Sequence, residues 1–140
     1  MQMQFGDIMV NIPKEVVEIL NAPDSVKILA TADEKGMPNA VPVYSIVPIK
    51  DDTVAFAEIF IIHTKQNLAK NKNVNVTVFK APATAYQLKG TFEGFQTSGQ
   101  LFDNFAKKMA ERKMPMKSVG LIKINEVFAA SPGQSSKKLA

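Results

Sequence analysis

Ala85-Tyr86-Gln87-Leu88-Lys89-Gly90-Thr91-Phe92-Glu93-Gly94-Phe95-Gln96-Thr97 alternates with a period of two. Tyr86, Leu88, Gly90, Phe92 and Gly94 share one parity; Gln87, Lys89, Thr91, Glu93 and Phe95 share the other. Successive side chains of a strand point to opposite faces, so the pattern is that of a long strand with one face turned inward. Its length, with Gly90 and Gly94 permitting tight curvature, suits the wall of a barrel.

The flanking segments carry the same signal. Val74 to Lys80 reads as a strand, closed by the loop Ala81-Pro82-Ala83. Upstream, Val26 to Ala32 is a strand, Asp33-Glu34-Lys35-Gly36 a turn and Asn39 to Ile49 a second strand. Pro42 and Pro48 cannot donate to a ladder, so each belongs at an edge, a bulge or a strand end. Lys50-Asp51-Asp52 turns the chain into a third strand, Thr53 to about Ile62, and a short helix over about Lys65 to Asn71 comes next. Downstream, Gln100 to Lys113 is amphipathic, with Phe102, Phe105, Ala106 and Met109 on one face, and Met114-Pro115 ends it. Ser118 to Ala130 is the last strand, and residues 131–140 read as a polar tail. Near the N-terminus, Asn11 is positioned to cap a short helix with Pro13 in its first turn and Val16, Val17 and Leu20 as its stripe. The sum is a mainly β chain, a six-stranded antiparallel barrel with short peripheral helices.

Composition agrees with one domain over residues 1–140. A chain of 140 residues, 46% hydrophobic and 21% charged, builds a core without staples. Cysteine is absent and His63 is the one histidine, which excludes a disulfide framework, thiolate chemistry and a multi-histidine metal site within the chain. Apolar runs fall short of the roughly 20 residues that cross a bilayer, and Met1 to Val10 has no signal-peptide pattern. Cytoplasmic residence with no membrane partner is the expectation. The net charge of +4 is spread along the chain, with modest clusters at Lys107-Lys108, Arg112-Lys113 and Lys137-Lys138. A nucleic-acid binder concentrates its charge on one face and interleaves aromatics, so no nucleic-acid partner is expected.

The segment richest in chemistry is Phe60-Ile61-Ile62-His63-Thr64-Lys65-Gln66-Asn67-Leu68-Ala69-Lys70-Asn71. A buried strand enters a helix for which Thr64 is the candidate N-cap, leaving first-turn N–H groups free for an anion. Lys65, the Thr64 hydroxyl and the Asn67 amide add donors suited to a phosphate. The plainer reading is ordinary capping, with His63 stapled against Leu68. No glycine-rich phosphate loop is present.

Taken in order, Ile28–Ala32, Gly36–Tyr44, Thr53–Phe56, Thr64–Val74 and Tyr86–Phe92 resemble the pyridoxamine 5'-phosphate oxidase-like FMN-binding split barrels. The likeness spans about Val26 to Thr97. It implies a split barrel that dimerises, with FMN in clefts between subunits, working in redox or electron transfer with an unidentified redox partner or small substrate. It further implies that Thr64, Lys65 and Asn67 hold the phosphate, that Val43, Tyr44, Ile61 and Ile62 line the isoalloxazine, and that Gln87 approaches from one side. Tyr44 and His63 are the nearby acid–base candidates, each equally open to a structural role. Phe60, Phe92, Phe95 and Phe128 are candidates for a subunit seam or for core. The tail Ser131–Lys138 lacks the basic, aromatic signature of the family's vitamin B6 oxidases, so that activity is not expected. Two alternatives stand beside FMN chemistry: a barrel holding haem or a deazaflavin, and a non-enzymatic binding barrel.

Overall fold

The computed structural model describes residues 10–134 and 137–140. In chain order the elements are α1 (Lys14–Asn21), β1 (Val26–Ala32), β2 (Pro38–Pro42), β3 (Val47–Lys50), β4 (Thr53–Ala57), α2 (Ile62–Lys70), β5 (Asn73–Lys80), β6 (Thr84–Gln96), α3 (Gln100–Glu111) and β7 (Val119–Ala129). All seven strands join one antiparallel sheet in the order β2-β1-β5-β6-β7-β4-β3.

The connection from β2 to β3 dictates the shape of this sheet. These two strands lie at opposite ends of the strand order, yet only residues 43–46 join them. Seven flat strands would hold the ends roughly 29 Å apart at about 4.8 Å per strand. Five extended steps reach at most about 17 Å. The sheet therefore curls until its ends meet, and the split of the barrel falls between β2 and β3. Val43 and Ile46 are buried in this crossing, and the Val43 N–H donates to the Lys27 carbonyl oxygen at 2.8 Å.

One expected strand over Asn39 to Ile49 is thus two, which raises the count from six to seven. Pro42 ends β2, and Pro48 sits on the edge strand β3 beside a register shift. The third expected strand stops at Ala57 rather than Ile62. Pro13 is the N-cap of α1 rather than a first-turn residue, no side chain caps that helix, and Ile19 replaces Val17 among its fully buried positions. The tail is not wholly free: the Leu139 N–H donates to the Val127 carbonyl oxygen, the Ala129 N–H to that of Lys137, and Leu139 packs against the core.

β4 is buried along its whole length because it is covered on both faces. Val54 and Phe56 enter the barrel core with Leu29, Val76, Leu88 and Ile122. Ala55 and Ala57 lie under α3, whose Phe105 and Met109 pack on them and on Val119. A strand covered in this way reads as a continuous apolar run, as Val54–Ala57 does.

The β6–β7 ladder carries two bulges, the first an extra residue in β7 at Asn125 and the second an extra residue in β6 at Glu93. Register shifts fall between Lys89 and Gly90 and between Phe92 and Gly94, where Gly94 takes φ 118°. The second shift reverses the parity of the residues beyond it. Phe92 and Phe95, expected on opposite faces, therefore meet edge to face with ring centroids 4.8 Å apart. Among the described residues no helix is long and apolar enough to cross a membrane.

Candidate functional site

Between β4 and α2 the chain turns through Phe60, a non-glycine residue at φ 52° and 83% exposed. A bulky side chain in the left-handed region is strained, and such strain concentrates at functional positions. Ile61, buried in the core, anchors the turn and is the N-cap of α2. The helix therefore begins at Ile62, earlier than the expected Lys65, and Thr64 is its third residue rather than its cap. No side chain caps this end and no acidic residue lies in the first turn. The first intrahelical bond is Lys65 N–H to the Ile61 carbonyl oxygen at 2.8 Å.

α2 presents two faces at helical spacing. Thr64, Asn67 and Asn71 turn toward β1 and β2: Asn39 Nδ2 donates to Thr64 Oγ1 (3.3 Å), Asn67 Nδ2 to Thr31 Oγ1 (3.0 Å) and Asn71 Nδ2 to the Asp33 carbonyl oxygen (3.3 Å). Thr64 is fully buried. Ile62, Lys65, Gln66 and Ala69 form the other face, which walls a groove of about 550 Å³. Residues 58–61 make its floor, and Pro115, Met116 and Lys117 its far side.

Glu58, 4% exposed, lies at the base of this groove. Its Oε2 accepts from Lys65 Nζ at 2.8 Å and its Oε1 from Ser118 Oγ at 2.6 Å. Burial alone would raise its carboxyl, but the hydrogen bonds from Lys65 and Ser118 and the charges of Lys65 and Lys117 outweigh burial and hold it below the ordinary value. Lys65 is half exposed and also stands 5.3 Å from the centroid of the Phe95 ring.

A folded-state pKa below the unfolded one means stability present above the unfolded value and lost as pH falls through the folded one. Glu58→Gln is accordingly expected to cost about 1–3 kcal/mol at pH 7. That difference should shrink as pH drops below the ordinary glutamate value of roughly 4.3. Urea unfolding of both proteins at pH 7 and pH 3 measures it; a difference unchanged at pH 3 refutes the charged pairing.

A smaller recess of about 160 Å³ shares Ile59 and Phe60 with the groove and holds Val43, Tyr44 and Ser45. The expected ring-lining residues thus divide: Ile61 and Ile62 on one side of Phe60, Val43 and the exposed Tyr44 on the other. Gln87 lies opposite Thr77 and Phe128 within the sheet and His63 is exposed; both stand outside the two recesses. Of the four phenylalanines, Phe92 is core and Phe95 packs on Phe56, leaving Phe60 and the half-buried Phe128. Glu58 is a site residue that sequence reasoning missed. Its signal is that it is the one charged residue between Thr53 and Ile62.

A family model described as pyridoxamine 5'-phosphate oxidase matches residues 12–130. No curated protein sequence matches the chain. Among solved structures, HupZ of Group A Streptococcus is 28% identical with TM-score 0.75, over 89% of this chain and 98% of that one. An FMN-binding protein from Syntrophomonas wolfei subsp. wolfei is 20% identical with TM-score 0.74, over 81% and 82%. HutZ, the haem storage protein from Vibrio cholerae, is 15% identical with TM-score 0.64, over 86% and 95%. With a family match over most of its length and the curled seven-stranded sheet, the chain belongs to the pyridoxamine 5'-phosphate oxidase family of split barrels.

Proposed function

We propose that the chain binds FMN in the groove beside α2 and serves in redox or electron transfer as a homodimer. The observation that carries this reading is the junction of an apolar groove with an uncapped helix N-terminus free of acidic residues. The groove volume of about 550 Å³ falls within the common range for small-molecule sites, and its floor of isoleucine and phenylalanine suits a flat aromatic ring. The helix end suits the phosphate, because its orphan N–H groups and dipole favour an anion.

The residues divide the work. The backbone N–H groups of Ile62, His63 and Thr64 receive the phosphate, with Lys65 at the rim. The Thr64 and Asn67 side chains fix the helix to β1 and β2 rather than touching the ligand. Glu58 and Ser118 hold Lys65 in place. Ile61 and Ile62, with Phe60, Val43 and Tyr44 across the ridge, exclude water from the ring. A bound flavin supplies the electron chemistry, and the protein sets its access and polarity. Gln87, outside the groove of its own chain, contributes only if a partner subunit brings it there. The exposed Phe60 is the natural centre of a subunit contact.

A second reading, haem, rests on the exposed His63 and on the likeness to HutZ. Titration of the purified protein with FMN and with riboflavin, monitored by quenching of flavin fluorescence, tests the proposal. FMN is expected to bind at least tenfold more tightly. Equal affinity for both ligands removes the phosphate assignment, and no uptake of either removes the function. A Soret band on haem addition, with no flavin uptake, selects the second reading.

A further inference from the structure

A second cavity, of about 310 Å³, lies away from the groove, between the C-terminal end of α1, the start of β1, the β2–β3 crossing and α3. Three cationic side chains line it, Lys27, Lys108 and Arg112, together with the hydroxyl-bearing Ser25, Tyr44 and Ser45. No acidic residue lines it, and among the described residues none of the three cations has an ion-pair partner.

Lys27 gives this cluster its meaning. It is 6% exposed, on a barrel strand, where lysine is rarely found unless paired. Its Nζ donates to the carbonyl oxygens of Leu20 (3.0 Å) and Ile46 (2.7 Å), which occupies two of its three N–H bonds. These are neutral acceptors; they satisfy hydrogen bonds without cancelling the charge. Burial, and then the nearby Arg112 charge, both lower its pKa. Two uncompensated like charges, one of them on a buried side chain, repel, and an anion between them relieves the repulsion. Ser45 Oγ accepts from the Ala57 N–H at 2.8 Å, so its own hydrogen remains to donate.

We propose that this cavity is a binding site for a small dianion, a phosphate or a dicarboxylate, seated between Lys27, Lys108 and Arg112. Lys27 contributes a preorganised donor from the barrel wall. Lys108 and Arg112, four residues apart at the end of α3, close over the anion from the solvent side. The site has no residue on α2, where the flavin phosphate is placed, but it shares Tyr44, Ser45, Met109 and Arg112 with the recess beside Phe60.

The test is a ¹H–¹⁵N NMR titration of the full chain with inorganic phosphate and, in a second arm, succinate, at constant ionic strength with chloride as the control. Saturable shifts are expected at the amides of Lys27, Ser45, Lys108 and Arg112, and the arm with the tighter constant identifies the class of anion. The double variant Lys108→Ala/Arg112→Ala changes only exposed positions and is expected to keep the melting temperature while weakening binding at least tenfold. Undiminished binding by that variant overturns the proposal, as does a response matched by chloride. Shifts confined to Ile62, His63 and Thr64 also overturn it, while leaving the α2 phosphate reading intact.

Discussion

Ile62→Glu is expected to lower FMN affinity about a hundredfold or more, lower riboflavin affinity only slightly, and leave the protein at least as stable. Ile62 is the first residue of α2, 71% exposed, on the groove face, in a turn without any acidic residue. A carboxylate there interacts favourably with the helix dipole, by about 0.3–1 kcal/mol. The same carboxylate faces the phosphate that the proposal places on these N–H groups. Two unit charges about 5 Å apart at an effective dielectric constant near 20 repel by about 3 kcal/mol, enough for a hundredfold. Riboflavin lacks the phosphate and escapes that repulsion, so the ratio of the two affinities isolates the electrostatic effect. Ile62→Gln, which removes the same apolar surface without charge, should reduce both ligands alike. Equal losses for FMN and riboflavin in the glutamate variant would refute the placement of the phosphate, and a fall in melting temperature would refute the open N-terminus.

The residues that make the fold legible are those whose pattern is local. The period-two run of β6, the β1–β2 turn at Asp33 and Gly36, and the amphipathic α3 all declare themselves within a dozen positions. The Asp33 side chain accepts from the N–H groups of Lys35 and Met37, as a turn-forming aspartate does. What stays hidden depends on three-dimensional context. The division of Asn39–Ile49 into β2 and β3 arises from the closure of the barrel, because the segment must cross from one end of the sheet to the other. The start of α2 at Ile62 is set by a left-handed phenylalanine anchored by the buried Ile61, and no propensity argument places a bulky residue there. The segment around Thr64 is legible as polar and helical. Its donors, however, are divided between the barrel and the groove by helical phase, and that phase shifts when the helix begins earlier. Glu58 needs its partner Ser118, sixty positions away, before its role is visible.

Gly90→Ala is expected to destabilise the chain by about 3 kcal/mol or more. A Cβ there would lie 2.4 Å from the Lys123 carbonyl oxygen and 2.9 Å from Ile122 Cγ2. The first of these is backbone in the adjacent strand, so the clash cannot be relieved by a rotamer change. Gly90 is held from both sides, opposite Val74 in β5 and Ile124 in β7, beside the bulge at Asn125 of β7. Moving Lys123 aside opens the β6–β7 ladder at the centre of the barrel wall. Overpacking of a tight core costs about 1–3 kcal/mol when side chains yield and more when the backbone must. Gly94→Ala is the informative comparison, because a Cβ at Gly94 meets nothing within 4 Å and the cost is confined to φ 118°. A left-handed penalty of about 1–2 kcal/mol is expected there. Its effect should instead reach the groove, since the shift at Gly94 turns Phe95 toward Lys65, the residue that Glu58 holds at the rim. Chemical unfolding of both variants, with FMN affinity measured on the folded fraction, separates the two roles. Gly90→Ala within about 1 kcal/mol of the parent would show that the wall yields at this point. The curvature that brings β2 to β3 would then need another source than the close approach of β6 and β7.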